Sequence, residues 1–254
     1  MQADEIPGAG AAAMRKSSTN PVSAADYLAD LSPNFELDVQ KTALVIVDMQ
    51  NATCSLDMGE GRRLAALGKL ALARERFDRL QSTVIPNLRK MLRFFRENNL
   101  RVIYLTTGSE AHDYSDASFI MAHRFRSRNS RKGQVEMDVI EDLKPRPDEL
   151  VINKTTISAF TASGIDAMLK NMRIDCLLFG GTSTNMCVGT TARDAADRGY
   201  RCLLIDDCCV AARAEYHEAE LLTFRLIFGR VASSEQVRLE MEAKLTGRAS
   251  PVTD

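Results

Sequence analysis

Histidine is scarce in this chain. His112, His123 and His217 are the only three among 254 residues. A zinc site takes about three protein ligands. Three scattered histidines, with no C-x2-C spacing among the six cysteines, make no credible set. No metal and no other cofactor is therefore expected. Charge of either sign is also not in excess, since 33 Lys and Arg face 34 Asp and Glu for a net charge of −1. That argues against nucleic acid or a membrane surface as the main partner. No apolar run approaches the ~18–20 residues of a membrane-spanning helix. Met1 to Asn20 lacks the ordered charged and apolar regions of a signal peptide, so a cytoplasmic location is expected. Internal repeats, low-complexity blocks and interdomain linkers are absent.

The hydrophobic fraction is 45%, enough for a sizeable core. It is concentrated in short runs. Residues 42–47, 101–106, 150–153, 175–179, 201–205 and 230–232 read as strands, several of them apolar on both faces, as the centre of a parallel sheet requires. Helical patterns fall between them, at about 64–80, 83–98, 163–171, 185–198, 214–228 and 234–245. In the second, Ile85, Leu88, Met91, Leu92 and Phe95 share one face, and Pro86 is tolerated in the first turn. Residues 51–63 read as a loop, 107–149 carry little regular pattern, and within them the loop 107–133 is long enough for a lid. The alternation predicts one three-layer α/β/α domain with a six-stranded, mainly parallel, doubly wound sheet. Its expected bounds are 41–246, after an irregular extension at 1–40 and before a tail at 247–254.

In such sheets ligands bind beyond the carboxyl ends of the strands. Three chemically useful residues stand there. Asp48 ends the first strand, Lys154 ends the third, and Cys187 follows the fourth in Gly180-Gly181-Thr182-Ser183-Thr184-Asn185-Met186-Cys187-Val188. Asp48 is a candidate acid or base, or a loop-capping aspartate. Lys154 is a candidate cation for the site, or a surface lysine. Cys187 is expected in the first turn of a helix, where the N-terminus lowers a thiol's pKa and backbone N–H groups face a developing oxyanion. Cys176, Cys202, Cys208 and Cys209 sit in apolar runs and read as small buried hydrophobes. Cys54 follows a strand, in a loop. Arg124, Arg126, Arg128, Arg131 and Lys132 form a basic cluster, either a solvated loop or a clamp for a polar or anionic substrate.

Four segments in order resemble the isochorismatase-like cysteine hydrolase superfamily. They are Leu44–Asn51 with its Asp48; Lys154 with Ser158-Ala159-Phe160; Gly181–Val188; and Thr191-Ala192-Arg193-Asp194-Ala195 followed by Arg198-Gly199-Tyr200. The resemblance covers roughly residues 40–232. It implies a triad of Asp48, Lys154 and Cys187, a cis peptide at Thr182–Ser183, and an oxyanion hole from the N–H groups of Ser183 and Cys187. It implies nucleophilic amide hydrolysis through a thioester, with dimers or tetramers common. A homo-oligomer is expected, with the N-terminal extension and the helical segment 64–80 at the subunit contact.

Two departures bear on the substrate. After Met-Gln-Asn the chain has Ala52-Thr53-Cys54, which puts Cys54 near the site. The metal-dependent members carry an Asp-x-His after the second strand; Thr107–Asp113 has none, which argues against nicotinamidase activity. The first motif and Arg124-Phe125-Arg126-Ser127-Arg128 look most similar to the ureidoacrylate, biuret and N-carbamoyl branches. A small linear amide, ureido or carbamoyl compound is therefore the expected substrate. Gln50, Asn51, Cys54, Arg124, Arg126, Phe160 and Thr182 are the expected binding residues, although Gln50 and Asn51 also suit bracing of their loop. The competing readings are a vinyl-ether hydrolase of the isochorismatase type, against which the cysteine counts, and a non-catalytic scaffold, against which the intact triad counts.

Overall fold

The structure, a computed structural model, describes residues 27–247. The rest of the expected extension and tail lies outside the described residues. Residues 27–41 hold two short 3-10 turns, Ala29–Leu31 and Val39–Lys41. Between them Leu37 is buried in the core, and its N–H donates to the Glu240 carboxylate at 3.0 Å.

The strands are β1 (Thr42–Val47), β2 (Arg101–Thr107), β3 (Leu150–Lys154), β4 (Cys176–Thr182), β5 (Arg201–Val210) and β6 (Arg230–Ala232). They form one sheet in the order β3-β2-β1-β4-β5-β6, parallel throughout. The chain builds one half outward from β1, then returns to build the other. The strand order therefore reverses between β1 and β4, the position where a crevice opens in doubly wound sheets.

Ten helices complete the described residues. Between β1 and β2 lie α1 (Asn51–Cys54), α2 (Gly59–Ala66), α3 (Arg74–Arg79) and α4 (Ile85–Glu97). Between β2 and β3 lies α5 (Phe119–Arg128), and α6 (Ala159–Ala162) and α7 (Ile165–Asn171) lead to β4. The remainder are α8 (Gly189–Asp197), α9 (Ala214–Ile227) and α10 (Ser234–Leu245). Alternation along β1 divides the core: Leu44 and Ile46 pack with Leu88, Met91, Phe95 and Met241 on one face, while Ala43, Val45 and Val47 pack with Leu169, Val188, Ala192 and Phe224 on the other. Successive Cβ atoms on a strand point to opposite faces. Each fully buried Leu or Phe here contributes roughly 1.5–3 kcal/mol of transfer free energy.

Four expectations need correcting. The region 51–63 contains α1 and the start of α2. The pattern at 64–80 is broken: Gly68, at φ 65°, ends α2, and a 3-10 turn at Leu70–Ala73 precedes α3. The region 107–149 contains α5. Its Phe119 and Ile120 are exposed, so no single apolar stripe marks it. β5 does not stop at Ile205. Phe179 pairs with Leu204 but Gly181 with Cys209, so the strand runs on to Val210 through Asp206 and Asp207.

Candidate active site

The site begins with where β1 and β4 end. Val47 is registered against Gly181 on β4 and Leu105 on β2. Gly181 has φ 135°, and a Cβ there would lie 2.1 Å from the Val47 carbonyl oxygen. Only glycine lets the two backbones approach this closely. Beyond Val47 the chain turns at Asp48, a non-glycine residue at φ 51°. The turn is held by Asp48 N–H donating to Leu105 O at 2.8 Å and by Thr53 Oγ1 donating to Asp48 O at 2.6 Å.

Lys154 lies on β3, which is an edge strand rather than a central one, and it is registered against Thr107 at the end of β2. Its side chain reaches past β2, and Nζ donates to Asp48 Oδ2 at 2.9 Å. Asp48 is 1% exposed and Lys154 0%, so the ion pair is fully sequestered. The other carboxylate oxygen, Asp48 Oδ1, is buried without a hydrogen-bond partner. Burial pulls the Lys154 ammonium down, but Asp48 and Cys187 more than offset it and leave it above the usual lysine range.

Cys187 does not sit in the first turn of a regular helix. Thr184–Val188 form a wide π turn in which Met186 leaves the helical region (φ −128°, ψ −105°), and α8 starts only at Gly189. The Thr182–Ser183 peptide is cis. Burial pushes the Cys187 thiol up to about 12; Asp48 adds to the rise and Lys154 opposes it. This overturns the expectation of a thiol lowered by a helix N-terminus. The dipole at the start of α8 falls beyond the residue, and desolvation together with a facing carboxylate dominates. The resting site therefore holds a neutral thiol beside an unpaired carboxylate oxygen.

These residues open onto a cavity of about 530 Å³, whose lining includes Asp48, Thr182, Ser183 and Cys187 together with Glu60, Arg76, Arg124, Arg128, Met121 and Tyr216. Glu60 is clamped by Arg63 at 2.6 Å and Arg128 at 2.8 Å; burial pushes its carboxyl up, but the two guanidinium groups prevail and hold it at about 2.

The profile of the isochorismatase domain matches residues 42–236. The chain belongs to the isochorismatase family. It is similar to the ureidoacrylate amidohydrolase RutB of Acinetobacter baylyi, 29% identical over 79% of this chain and 84% of that protein. It is 30% identical to the protein of the same name from Pseudomonas syringae pv. syringae, over 85% of this chain and 94% of that one. Among solved structures, a cysteine hydrolase from Pseudomonas syringae pv. phaseolicola superposes with a TM-score of 0.71 at 23% identity, covering 84% of this chain and 97% of that chain. N-carbamoylsarcosine amidase from Thermoplasma acidophilum gives 0.58 at 25% identity, covering 77% and 97%.

The expected residues divide in this isochorismatase-family chain. Asp48, Thr182, Ser183, Cys187 and Arg124 line the cavity, and Lys154 lies behind Asp48. Gln50, Asn51, Cys54, Arg126 and Phe160 are not among its lining residues. Gln50 braces the end of β2, with Oε1 accepting from Thr107 N–H at 2.8 Å and Nε2 donating to Met137 O at 2.8 Å. Asn51 Nδ2 donates to Val135 O at 2.9 Å. Cys54 is buried near Met49. Arg126 lies over Tyr114, and Phe160 packs on Tyr200 beneath Arg198. Arg76 and Glu60 line the cavity and carry no motif that reveals them. Among the described residues, no three of His, Cys, Asp and Glu stand close enough to hold a metal ion. Also among them, no helix is long and apolar enough to cross a membrane.

His217 braces the 184–188 turn. It is buried, with Nδ1 2.8 Å from Thr184 Oγ1 and Nε2 2.8 Å from Asp206 Oδ1. Thr184→Val or His217→Ala alone is expected to cost roughly 1–3 kcal/mol, because each leaves a buried polar group unpaired. The double variant is expected to cost less than the sum by about 1 kcal/mol. Urea unfolding of the four proteins checks this, and strict additivity would dissociate the two residues.

Proposed function

We propose that the chain is a cysteine amidohydrolase that cleaves a C–N bond of a small linear amide, ureido or carbamoyl compound. The observation that carries this reading is the sequestered Lys154–Asp48 pair, whose free oxygen, Asp48 Oδ1, stands in the same cavity as Cys187. A buried carboxylate with one oxygen fixed by a cation and the other unpaired is poised to take a proton. The names of the relatives, which specify ureidoacrylate and N-carbamoylsarcosine, support the substrate class.

Asp48 removes the thiol proton as Cys187 Sγ attacks the carbonyl carbon. Lys154 offsets the negative charge that passes to the sulfur and keeps Asp48 oriented. Backbone N–H groups of Ser183 and Cys187 hold the tetrahedral oxyanion. Protonated Asp48 then returns its proton to the leaving nitrogen, which departs as ammonia or an amine and leaves a thioester. A water, deprotonated by the same carboxylate, attacks that thioester and regenerates the thiol. The reading is tested by measuring ammonia release from biuret, 3-ureidoacrylate, N-carbamoyl amino acids and simple carboxamides. Release from at least one ureido or carbamoyl compound is expected; release from none would refute the reading.

A further inference from the structure

Arg76 stands apart from the other charged residues of the cavity. It is 9% exposed, and it lines the same cavity as Asp48 and Cys187. One of its terminal nitrogens, Nη2, donates to Thr182 Oγ1 at 3.0 Å, next to the Thr182–Ser183 peptide. The other, Nη1, is buried without any hydrogen-bond partner. No carboxylate lies within ion-pair distance of it among the described residues. Burial works against its charge, and so does the like charge of Arg128, yet an arginine side chain stays protonated in proteins.

A cation taken out of water without a counter-ion is costly, and an unpaired donor adds to the cost. The other charges of the cavity do not supply the missing anion. Asp48 is committed to Lys154, and Glu60 to Arg63 and Arg128. Arg124, half-buried on the same cavity, has no ion-pair partner among the described residues either. The lining thus carries four arginines against two carboxylates, and both carboxylates are spoken for. A cavity of one sign concentrates ligands of the other.

We propose that Arg76 binds a carboxylate of the substrate, so that the compound cleaved is a ureido or carbamoyl acid rather than a neutral ureide. This rests on the amidohydrolase reading above and narrows it. Arg76 is fixed by Thr182, whose neighbour Ser183 lines the same cavity as Cys187. One end of the substrate is then held at the arginine while its carbonyl is presented to sulfur. The planar guanidinium, with Nη1 free, matches a carboxylate better than a lysine ammonium would.

The test uses the full chain with Cys187→Ala, which binds without turnover, and two probes, 3-ureidopropionate and its neutral amide, 3-ureidopropionamide. Calorimetric titration is expected to show the acid binding about 30- to 100-fold tighter than the amide, the range of a charge-assisted hydrogen-bonded pair. Adding Arg76→Gln is expected to bring the two affinities within about threefold, as the charged pair is lost, chiefly through weaker binding of the acid. Arg76→Lys should retain part of the acid's advantage. Equal binding of the two probes, or binding of neither, overturns the proposal. An advantage that survives Arg76→Gln also overturns it, because another cation such as Arg124 would then be responsible. Equal weakening of both probes by Arg76→Gln overturns it too, by reducing Arg76 to a brace for Thr182. Wild-type turnover is read separately. If neither ureide is hydrolysed although the acid's advantage is present and depends on Arg76, the amidohydrolase reading is what fails.

Discussion

Cys187→Ala and Asp48→Asn are both expected to lower kcat/KM by at least about 10⁴-fold, the scale of removing one member of a nucleophile–base unit. The two variants part in thiol chemistry. In the wild type, burial and Asp48 hold the Cys187 thiol at about 12, with Lys154 opposing them. At pH 7 such a group is overwhelmingly a neutral thiol, so in the proposed mechanism it depends on Asp48 at the moment of attack. Asp48→Asn removes the carboxylate and leaves Lys154 with Cys187 as its anionic neighbour. The thiol pKa should therefore fall, and iodoacetamide should label Cys187 faster at pH 7 in Asp48→Asn than in wild type, although the variant is inactive. Peptide mapping after timed labelling reads this directly. Labelling that slows in Asp48→Asn would remove the carboxylate as the group that keeps the thiol protonated.

Steep alkaline unfolding is expected under reducing conditions. All six cysteines are free and buried, and burial raises every one of their thiols: Cys176, Cys187 and Cys209 to about 12, Cys202 and Cys208 well above the usual thiol range, and Cys54 upward as well. Below about pH 8.5 these thiols are protonated whether the chain is folded or not, and their contribution is fully present. As pH rises past that point the unfolded chain releases protons that the folded chain retains, so stability is lost progressively toward pH 12. Each thiol then costs about 1.4 kcal/mol per pH unit, and six together about 8 kcal/mol per unit. Set against a typical total of about 5–15 kcal/mol, this places the unfolding midpoint between about pH 9 and 10.5. Circular dichroism against pH checks it. Cys202→Ala combined with Cys208→Ala should flatten the dependence by about a third, in proportion to the thiols removed. A wild-type chain still folded at pH 11.5 would show that the folded state tolerates buried thiolates.

The sequence was most legible where burial is two-sided. The runs at 42–47 and 101–106 are apolar, apart from Arg101, because both sheet faces are covered, and each is a strand; 150–153 is also a strand, but an edge one with Val151 exposed. Asp206 and Asp207 hid the second half of β5. Polar residues read as a strand end, but Asp206 is held by His217 and Arg79, and Asp207 by Ser234 and Asn87. α1 is four residues long, too short for any period, and α5 exposes apolar residues that a stripe would bury. At the site, Asp48 and Cys187 were legible because strand ends are. Arg76 was not, because its place depends on how α3 follows the 3-10 turn at Leu70–Ala73, and that packing leaves no spacing to read. The thiol's protonation was misread because the wide turn before α8 separates Cys187 from the helix end.

The left-handed backbone at Asp48 narrows what this position accepts over evolutionary time. At φ 51° a branched or long side chain is strained, whereas aspartate and asparagine are tolerated. Glutamate would preserve the charge but not the conformation. Asparagine would preserve the conformation but not the base that the proposed mechanism requires. A lineage losing catalysis by one substitution here has an easy exit through asparagine, which keeps the architecture intact while silencing the chemistry. A lineage keeping catalysis has almost no neutral neighbour to drift through. Asparagine at this turn is thus the substitution by which a working enzyme on this scaffold becomes a folded, substrate-sized receptor.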